Sequence, residues 1–255
     1  MELEPLITSR ANPRFKGLRS LLAASGARRS HALLAGRKLI EAWSLGGTGA
    51  RRLIPELWLR REGAAPDPLA EELGLDTLVL GEVLMGDLAE AGSAPEHALL
   101  ARLGPEPTGP LASRVIVPWA IQDPGNLGAI LRSAAAFGFQ EALLGPGCAD
   151  PFHGKALRGS MGAAFLMPLR RVERLNPDPG HWLALDGGPG SVALADADLG
   201  DPLRLLVGNE GHGWQGTELP AEVIRVAIPV QGVESLNAAV AAGIACFETA
   251  RRTPR

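Results

Sequence analysis

The sequence predicts an α/β protein in which a small mixed domain precedes a larger one built on a mostly parallel sheet. Three observations predict it. Short apolar runs alternate with helical patterns along the 255 residues. In the second half the runs end in loops, the pattern of a parallel sheet with its ligand site at the carboxyl ends of the strands. Between the halves, Gly104–Ser113 (GPEPTGPLAS) holds three prolines and two glycines, which sustain neither helix nor central strand. The expected organisation is therefore a first domain over 1–103, a linker over 104–113 and a second domain over 114–255.

In the first domain, Asn12–Ala24 reads as a helix with Phe15, Leu18, Leu21 and Leu22 on one face. His31–Ala35 reads as a strand, and Arg37–Leu45 as a helix ending at Gly46-Gly47. Leu53–Leu59 and Thr77–Leu80 are further strands, and Glu82–Glu90 a helix. In the second domain, Val115–Ile121 is a strand suited to burial on both faces, although Pro118 removes one backbone donor. Asn126–Phe137 is a helix that stops at Gly138, a residue suited to a left-handed cap. Ala142–Leu144, Trp182–Leu185, Leu203–Val207 and Val223–Ile228 are short strands. Ser235–Arg252 is the last helix, with Leu236, Val240, Ile244 and Phe247 as its expected buried stripe.

Composition narrows the function classes. At 46% hydrophobic and 21% charged the chain is globular, and no apolar run reaches the ~18 residues of a membrane span. Two cysteines, Cys148 and Cys246, make neither a disulfide framework nor a zinc motif, and the five histidines show no ligand spacing, so no metal is expected. The amino terminus lacks the layout of a secretory signal, and a cytoplasmic setting is expected. The net charge of −3 hides an asymmetry: residues 1–61 balance to +8 and residues 62–110 to −9. A basic first quarter in an acidic protein suggests a face for a polyanion.

Three segments carry residues that are unusual for structure alone. In IQDPGNLGAILRSAAAFGF, residues 121–139, Asn126 stands where it could cap the helix. Arg132 follows a little under two turns later, so both are expected near the helix start. The bland reading is a cap and a solubilising arginine. In LLVGNEGHGW, residues 205–214, a buried strand runs into Gly208-Asn209-Glu210-Gly211, where glycines permit close approach by a ligand and Glu210 puts a carboxylate at a strand end. The bland reading is a tight turn. In residues 226–248 a strand enters a polar loop, and Ser235-Leu236-Asn237 opens an alanine-rich helix; Ser235 read blandly is its cap.

In this order, DPGNLGAILRSAAAFG, GNEGHG and IPVQGVESLNAAVA closely resemble the three motifs of the SpoU (TrmH-like) branch of SPOUT RNA methyltransferases. The intervening CADPFHGKALRGSMGAAF is also similar, and the likeness spans 115–250. ITSRANPRFKGLRSLL resembles part of the family's substrate-binding domain. The resemblance implies a SPOUT domain with a carboxyl-terminal trefoil knot, preceded by a ribosomal-protein-L30e-like α/β domain that binds RNA. It also implies S-adenosylmethionine as methyl donor, a homodimer, and a 2′-O-methylated ribose in RNA, ribosomal RNA ahead of transfer RNA. Carried over by position, Asn126, Arg132, Glu210, Ser235 and Asn237 match the catalytic set. Gly208, Ile228 and Leu236 match positions that contact the donor. The chain departs from the pattern at Gly154-Lys155, where the family commonly shows Pro-Lys, and at Ala35-Gly36, where it commonly shows Glu-Gly.

Methyl transfer to a hydroxyl needs the oxygen aligned with the donor methyl and its proton removed. The family proposal gives that proton to the arginine, here Arg132. A guanidinium is a poor acceptor, and bidentate clamping of an RNA phosphate is an equally physical role. The alternative activity class is a catalytically silent RNA-binding protein on the same fold. A nucleotide-dependent oxidoreductase is disfavoured by the absence of a GxGxxG fingerprint.

Overall fold

In the computed structural model the described residues are 6–47, 49–90, 93–209, 213–214 and 217–252, the side chains of Ala27 and Ala50 excepted. The chain forms two sheets. The first takes β1 (Leu6–Ile7), β2 (His31–Ala35), β3 (Leu53–Arg61), β4 (Thr77–Leu80) and β5 (His97–Leu103) in the order β1-β4-β3-β5-β2. β1, β4 and β3 run parallel, and β5 is antiparallel to both of its neighbours. Helices α1 (Pro13–Ala23), α2 (Arg37–Ser44), α3 (Pro68–Glu72) and α4 (Glu82–Ala89) accompany it. Asn12 caps α1 with its own side chain, and Phe15 and Leu18 are buried, whereas Leu21 is exposed.

The second sheet is wholly parallel. It contains β6 (Arg114–Pro118), β7 (Glu141–Leu144), β8 (Leu169–Arg171), β9 (His181–Leu185), β10 (Val192–Ala193), β11 (Leu203–Val207) and β12 (Val223–Ala227). Their order is β10-β12-β9-β11-β6-β7-β8. The chain grows from β6 toward β8, then crosses to the other side, where β11 enters between β6 and β9 and β12 between β9 and β10. That reversal creates the crevice at strand carboxyl ends where ligands of such sheets bind. Three helices belong to this half: α5 (Pro124–Ala136), α6 (Gly154–Ser160) and α7 (Ala238–Arg252). β6 ends at Pro118 rather than Ile121: Trp119 still donates to the Val207 carbonyl, but Ala120 takes a left-handed φ of 55° that turns the chain out of the ladder.

Both long helices of this half depart from expectation at their starts. Asp123, not Asn126, caps α5: its Oδ1 accepts from the Asn126 N–H at 2.8 Å, with Pro124 in the first turn. Asn237, not Ser235, caps α7, its Oδ1 accepting from the N–H groups of Ala239 and Val240. The buried stripe of α7 also differs. Ala238, Ala242, Ala245, Cys246 and Thr249 face inward. Val240, Ile244 and Phe247 are 51%, 39% and 51% exposed. Close packing against α5 explains this, since a Cβ on Gly243 of α7 would stand 3.5 Å from Ser133 of α5. Only small residues fit so near, and the large apolar ones are turned outward.

The two halves share one core. Leu34, Leu39, Trp58 and Leu99 of the first belong to the same buried cluster as Leu127, Phe152, Leu157 and Phe165 of the second. Arg29 and Asp150 pair across the seam at 2.6 Å, each 6% exposed. Arg52 donates to the carbonyls of Gly104 and Leu169. Arg204, buried inside β11, holds Asp178 bidentately and donates to the carbonyls of Ala112 and Ser113, fixing the end of the inter-sheet segment.

Candidate functional site

A cleft of about 400 Å³ opens at the carboxyl ends of β9, β11 and β12, beside Leu185, Val207 and Val226. Its walls are three loops: Asp186–Gly188 after β9, Gly208–Asn209 with Gly213 after β11, and Ile228 to Leu236 after β12. Ala238 and Ala241 of α7 close the floor. The size and the mixed polar and apolar lining suit a small organic ligand.

The loop after β11 is pinned on both sides. The Asn209 amide donates to the Ala120 carbonyl at 3.0 Å, and the Trp214 indole donates to the Leu185 carbonyl at 3.0 Å. The Gly213 N–H returns to the Asn209 carbonyl. Gly208 lies under this arch. A Cβ there would stand 3.0 Å from the Trp214 ring and 3.1 Å from the Gly213 carbonyl, so any side chain forces the arch to move. On the opposite wall Asp186 accepts from the Gly188 N–H and from Arg225 at 2.6 Å, which shapes the glycine pair after β9.

Beside the cleft the starts of α5 and α7 meet. The Asn237 amide donates to Asn126 Oδ1 at 3.3 Å. Asp123 accepts from Lys155 Nζ at 2.5 Å as well as from the Asn126 N–H. The lysine hydrogen bond, followed by the backbone bond, holds the Asp123 carboxyl below the usual carboxylate range. α6, which carries Lys155, touches α5 backbone to backbone: a Cβ on Gly128 would lie 2.4 Å from the Ala156 carbonyl.

Of the residues singled out from the sequence, Gly208, Ile228, Ser235 and Leu236 line the cleft together. Asn126 and Asn237 are joined by their hydrogen bond. Arg132 is exposed on α5 and does not line the cleft. Six residues at about 100° each leave it about 120° around the helix from Asn126, so the two do not share a face. Glu210 lies outside the described residues. Asp123, Asp186 and Trp214 were not singled out. Only Asp123 left a readable signal, an acidic residue directly before a helix-starting proline. Cys148 and Cys246 are free thiols whose burial pushes them up to about 11 and about 12. Among the described residues no group of three or more His, Cys, Asp or Glu could hold a metal ion, and no helix is long and apolar enough to cross a membrane.

A model of the SpoU rRNA methylase family matches residues 113–247. An uncharacterized tRNA/rRNA methyltransferase of Synechocystis is 32% identical over 257 residues, covering 96% of this chain and 93% of that one. The Bacillus subtilis 23S rRNA (guanosine(2553)-2′-O)-methyltransferase RlmP is 31% identical over 204 residues, 76% of this chain and 80% of its own length. Among solved structures, the AdoMet-bound rRNA methyltransferase of Sinorhizobium meliloti superposes with a TM-score of 0.77 at 26% identity, covering 98% and 99% of the two chains.

Proposed function

The chain belongs to the SpoU rRNA methylase family, and we propose that it transfers a methyl group from S-adenosylmethionine to a ribose 2′-hydroxyl of RNA. The observation that carries this reading is the cleft itself: three loops at strand carboxyl ends, with Gly208, Ile228 and Leu236 on its walls. Its volume fits a nucleoside-sized donor, and the missing Cβ of Gly208 lets the arch of Trp214 and Gly213 close over that wall. Bound there, S-adenosylmethionine supplies an electrophilic methyl on a positively charged sulfur.

The remaining work falls to the chain's own side chains. Asn126 and Asn237, bonded to each other beside the cleft, orient the ribose and the start of α7. Ser235 stands on the cleft wall where it can meet the incoming hydroxyl. Glu210 is assigned to the same reaction by its position in the second motif. Arg132 either takes the hydroxyl proton or clamps an adjacent phosphate. Its outward position on α5 and the exposed Val240, Ile244 and Phe247 of α7 support a homodimer that covers this apolar face. Phe137, directly after α5, meets Phe247 edge-on, at 5.8 Å between ring centres, and extends that face.

Residues 1–103 form the RNA-recognition domain in this reading, 104–113 the linker and 114–255 the knotted SPOUT domain. Many cations of the first quarter are committed to partners: Arg10 to Asp87, Arg29 to Asp150, Arg37 to Asp67 and Arg61 to Glu96. Arg14, Lys16 and Arg19 on α1 are exposed, and they supply charge for a polyanion. The Bacillus relative favours ribosomal over transfer RNA as substrate, and two free thiols suit a reducing cytoplasm.

The test is incubation of the purified protein with labelled S-adenosylmethionine and unmodified transcripts of ribosomal and transfer RNA, followed by mapping of ribose methylation. A single 2′-O-methylated nucleotide in ribosomal RNA is the expected result. Binding of RNA without transfer to either class would establish a silent RNA-binding protein instead.

A further inference from the structure

We propose that Lys155 and Asp123 form a positioning pair for methyl transfer: the ammonium, seated on the carboxylate that caps α5, fixes the first turn of that helix and with it the side chain of Asn126. This rests on the reading of the cleft and the start of α5 as the methyl-transfer site.

The local backbone does little to fix this turn. Asn126 follows Gly125, a residue with wide conformational freedom. The space a side chain would fill there is taken by the pair. A Cβ on Gly125 would stand 2.8 Å from Asp123 Oδ1 and 3.1 Å from Lys155 Cε. The lysine stem therefore lies over the glycine, and its Nζ reaches Asp123 Oδ2 at 2.5 Å. The other oxygen of the same carboxylate accepts from the Asn126 N–H at 2.8 Å. Through the Asn126 side chain the chain of bonds continues to Asn237, and through the Asn237 cap to the first turn of α7, directly after the cleft residues Ser235 and Leu236. One carboxylate thus links the start of α6 to the place where α5 and α7 meet.

A purely structural purpose is a poor explanation of the pair. Lys155 and Asp123 are 53% and 44% exposed, and such ion pairs contribute little to stability. Nor does the packing of α6 on α5 depend on them. It rests on backbone contact at Gly128 and Gly159, whose added Cβ atoms would meet the Ala156 carbonyl at 2.4 Å and the Gly125 carbonyl at 3.1 Å. Removing the ammonium should leave the helices packed and the first turn of α5 less well held.

Two variants isolate the pair. Asp123→Asn keeps a good cap for α5 and the bond from the Asn126 N–H, but turns an amide N–H₂ toward Lys155. Lys155→Met keeps the stem over Gly125 and deletes the charge. The readouts are single-turnover methyl transfer at saturating RNA and donor, RNA affinity, S-adenosylmethionine affinity and melting temperature, using the ribosomal RNA transcript that the wild type methylates. Each variant should lose about tenfold or more in saturating rate, because small misplacements of reacting groups are costly. The double variant should lose no more than either single one, as expected for groups that act as a unit. Donor affinity should stay within about twofold and melting within about 2 °C of wild type. Lys155→Arg should restore most of the rate. Unchanged saturating rates would overturn the proposal, as would a loss confined to RNA affinity, which would make Lys155 a phosphate contact. Wild-type transfer reports separately on the functional reading: without it the site assignment fails, whereas the ratio of variant to wild type judges the pair.

Discussion

The cleft at the ends of β9, β11 and β12 is shaped by backbone and small residues, whereas the start of α5 beside it is held by side-chain amides and charges. In the cleft, Gly208 sits beneath an arch fixed by Trp214 and Asn209, and the floor is alanine. At α5, the order comes from Asp123, Lys155, Asn126 and Asn237 acting on one another. The difference matches what each side would handle. A donor held by loops needs room and shape, and is disturbed by an added carbon. A hydroxyl being aligned for attack needs placed polar atoms, and is disturbed by changing one polar group at constant size.

The largest expected effect lies on the polar side. Arg132→Ala should lower single-turnover transfer by about a hundredfold or more, the range for a group that moves a proton or fixes a reacting one, with donor affinity unchanged. Arg132→Lys then separates the two roles. A phosphate clamp would keep part of the rate with weaker RNA binding, whereas a base would give an altered pH dependence of the rate at saturating RNA. Next comes the apolar side. Gly208→Val should weaken donor binding by about 1–3 kcal/mol through steric overlap with Trp214 and the Gly213 carbonyl. Donor binding by Gly208→Val equal to wild type would break the comparison.

A matched pair of changes at Asn237 sharpens it. Asn237→Asp keeps the oxygen that caps α7 but loses the amide donor to Asn126, so transfer should fall while thermal stability holds. Asn237→Ala removes both, and about 1 kcal/mol of stability should go with the cap, measured by denaturant unfolding. The smallest effect is expected at the cysteines. Burial keeps both thiols protonated, with Cys148 pushed up to about 11 and Cys246 to about 12. Iodoacetamide at neutral pH should leave transfer intact and mass unchanged.

Legibility in the sequence followed the same division. The strands were readable because buried strands are short apolar runs: Leu203–Val207 at the cleft matches the observed bounds, as do His31–Ala35 and Thr77–Leu80 of the first sheet. Gly208, Ile228, Ser235 and Leu236 were found through motif likeness, and the cleft gathers them. β5 was missed because HALLARL is rich in alanine and leucine, which favour helix, and burial at its centre removes the alternation of a half-exposed strand. The stripe of α7 was misread because hydrophobicity alone ranks Val240, Ile244 and Phe247 above alanine, whereas close contact with α5 selects for small size. The polar chain through Lys155, Asp123, Asn126 and Asn237 joins residues up to 111 positions apart, and no local pattern encodes such contacts.

The most direct measurement is calorimetric titration of S-adenosylmethionine into the wild-type protein, Gly208→Val and Arg132→Ala, with RNA methylation assayed on the same samples. The wild type should bind and methylate. Gly208→Val should lose donor affinity, and Arg132→Ala should bind the donor as the wild type does yet transfer almost nothing. Wild-type affinity in Gly208→Val, or full methylation by Arg132→Ala, would contradict the account.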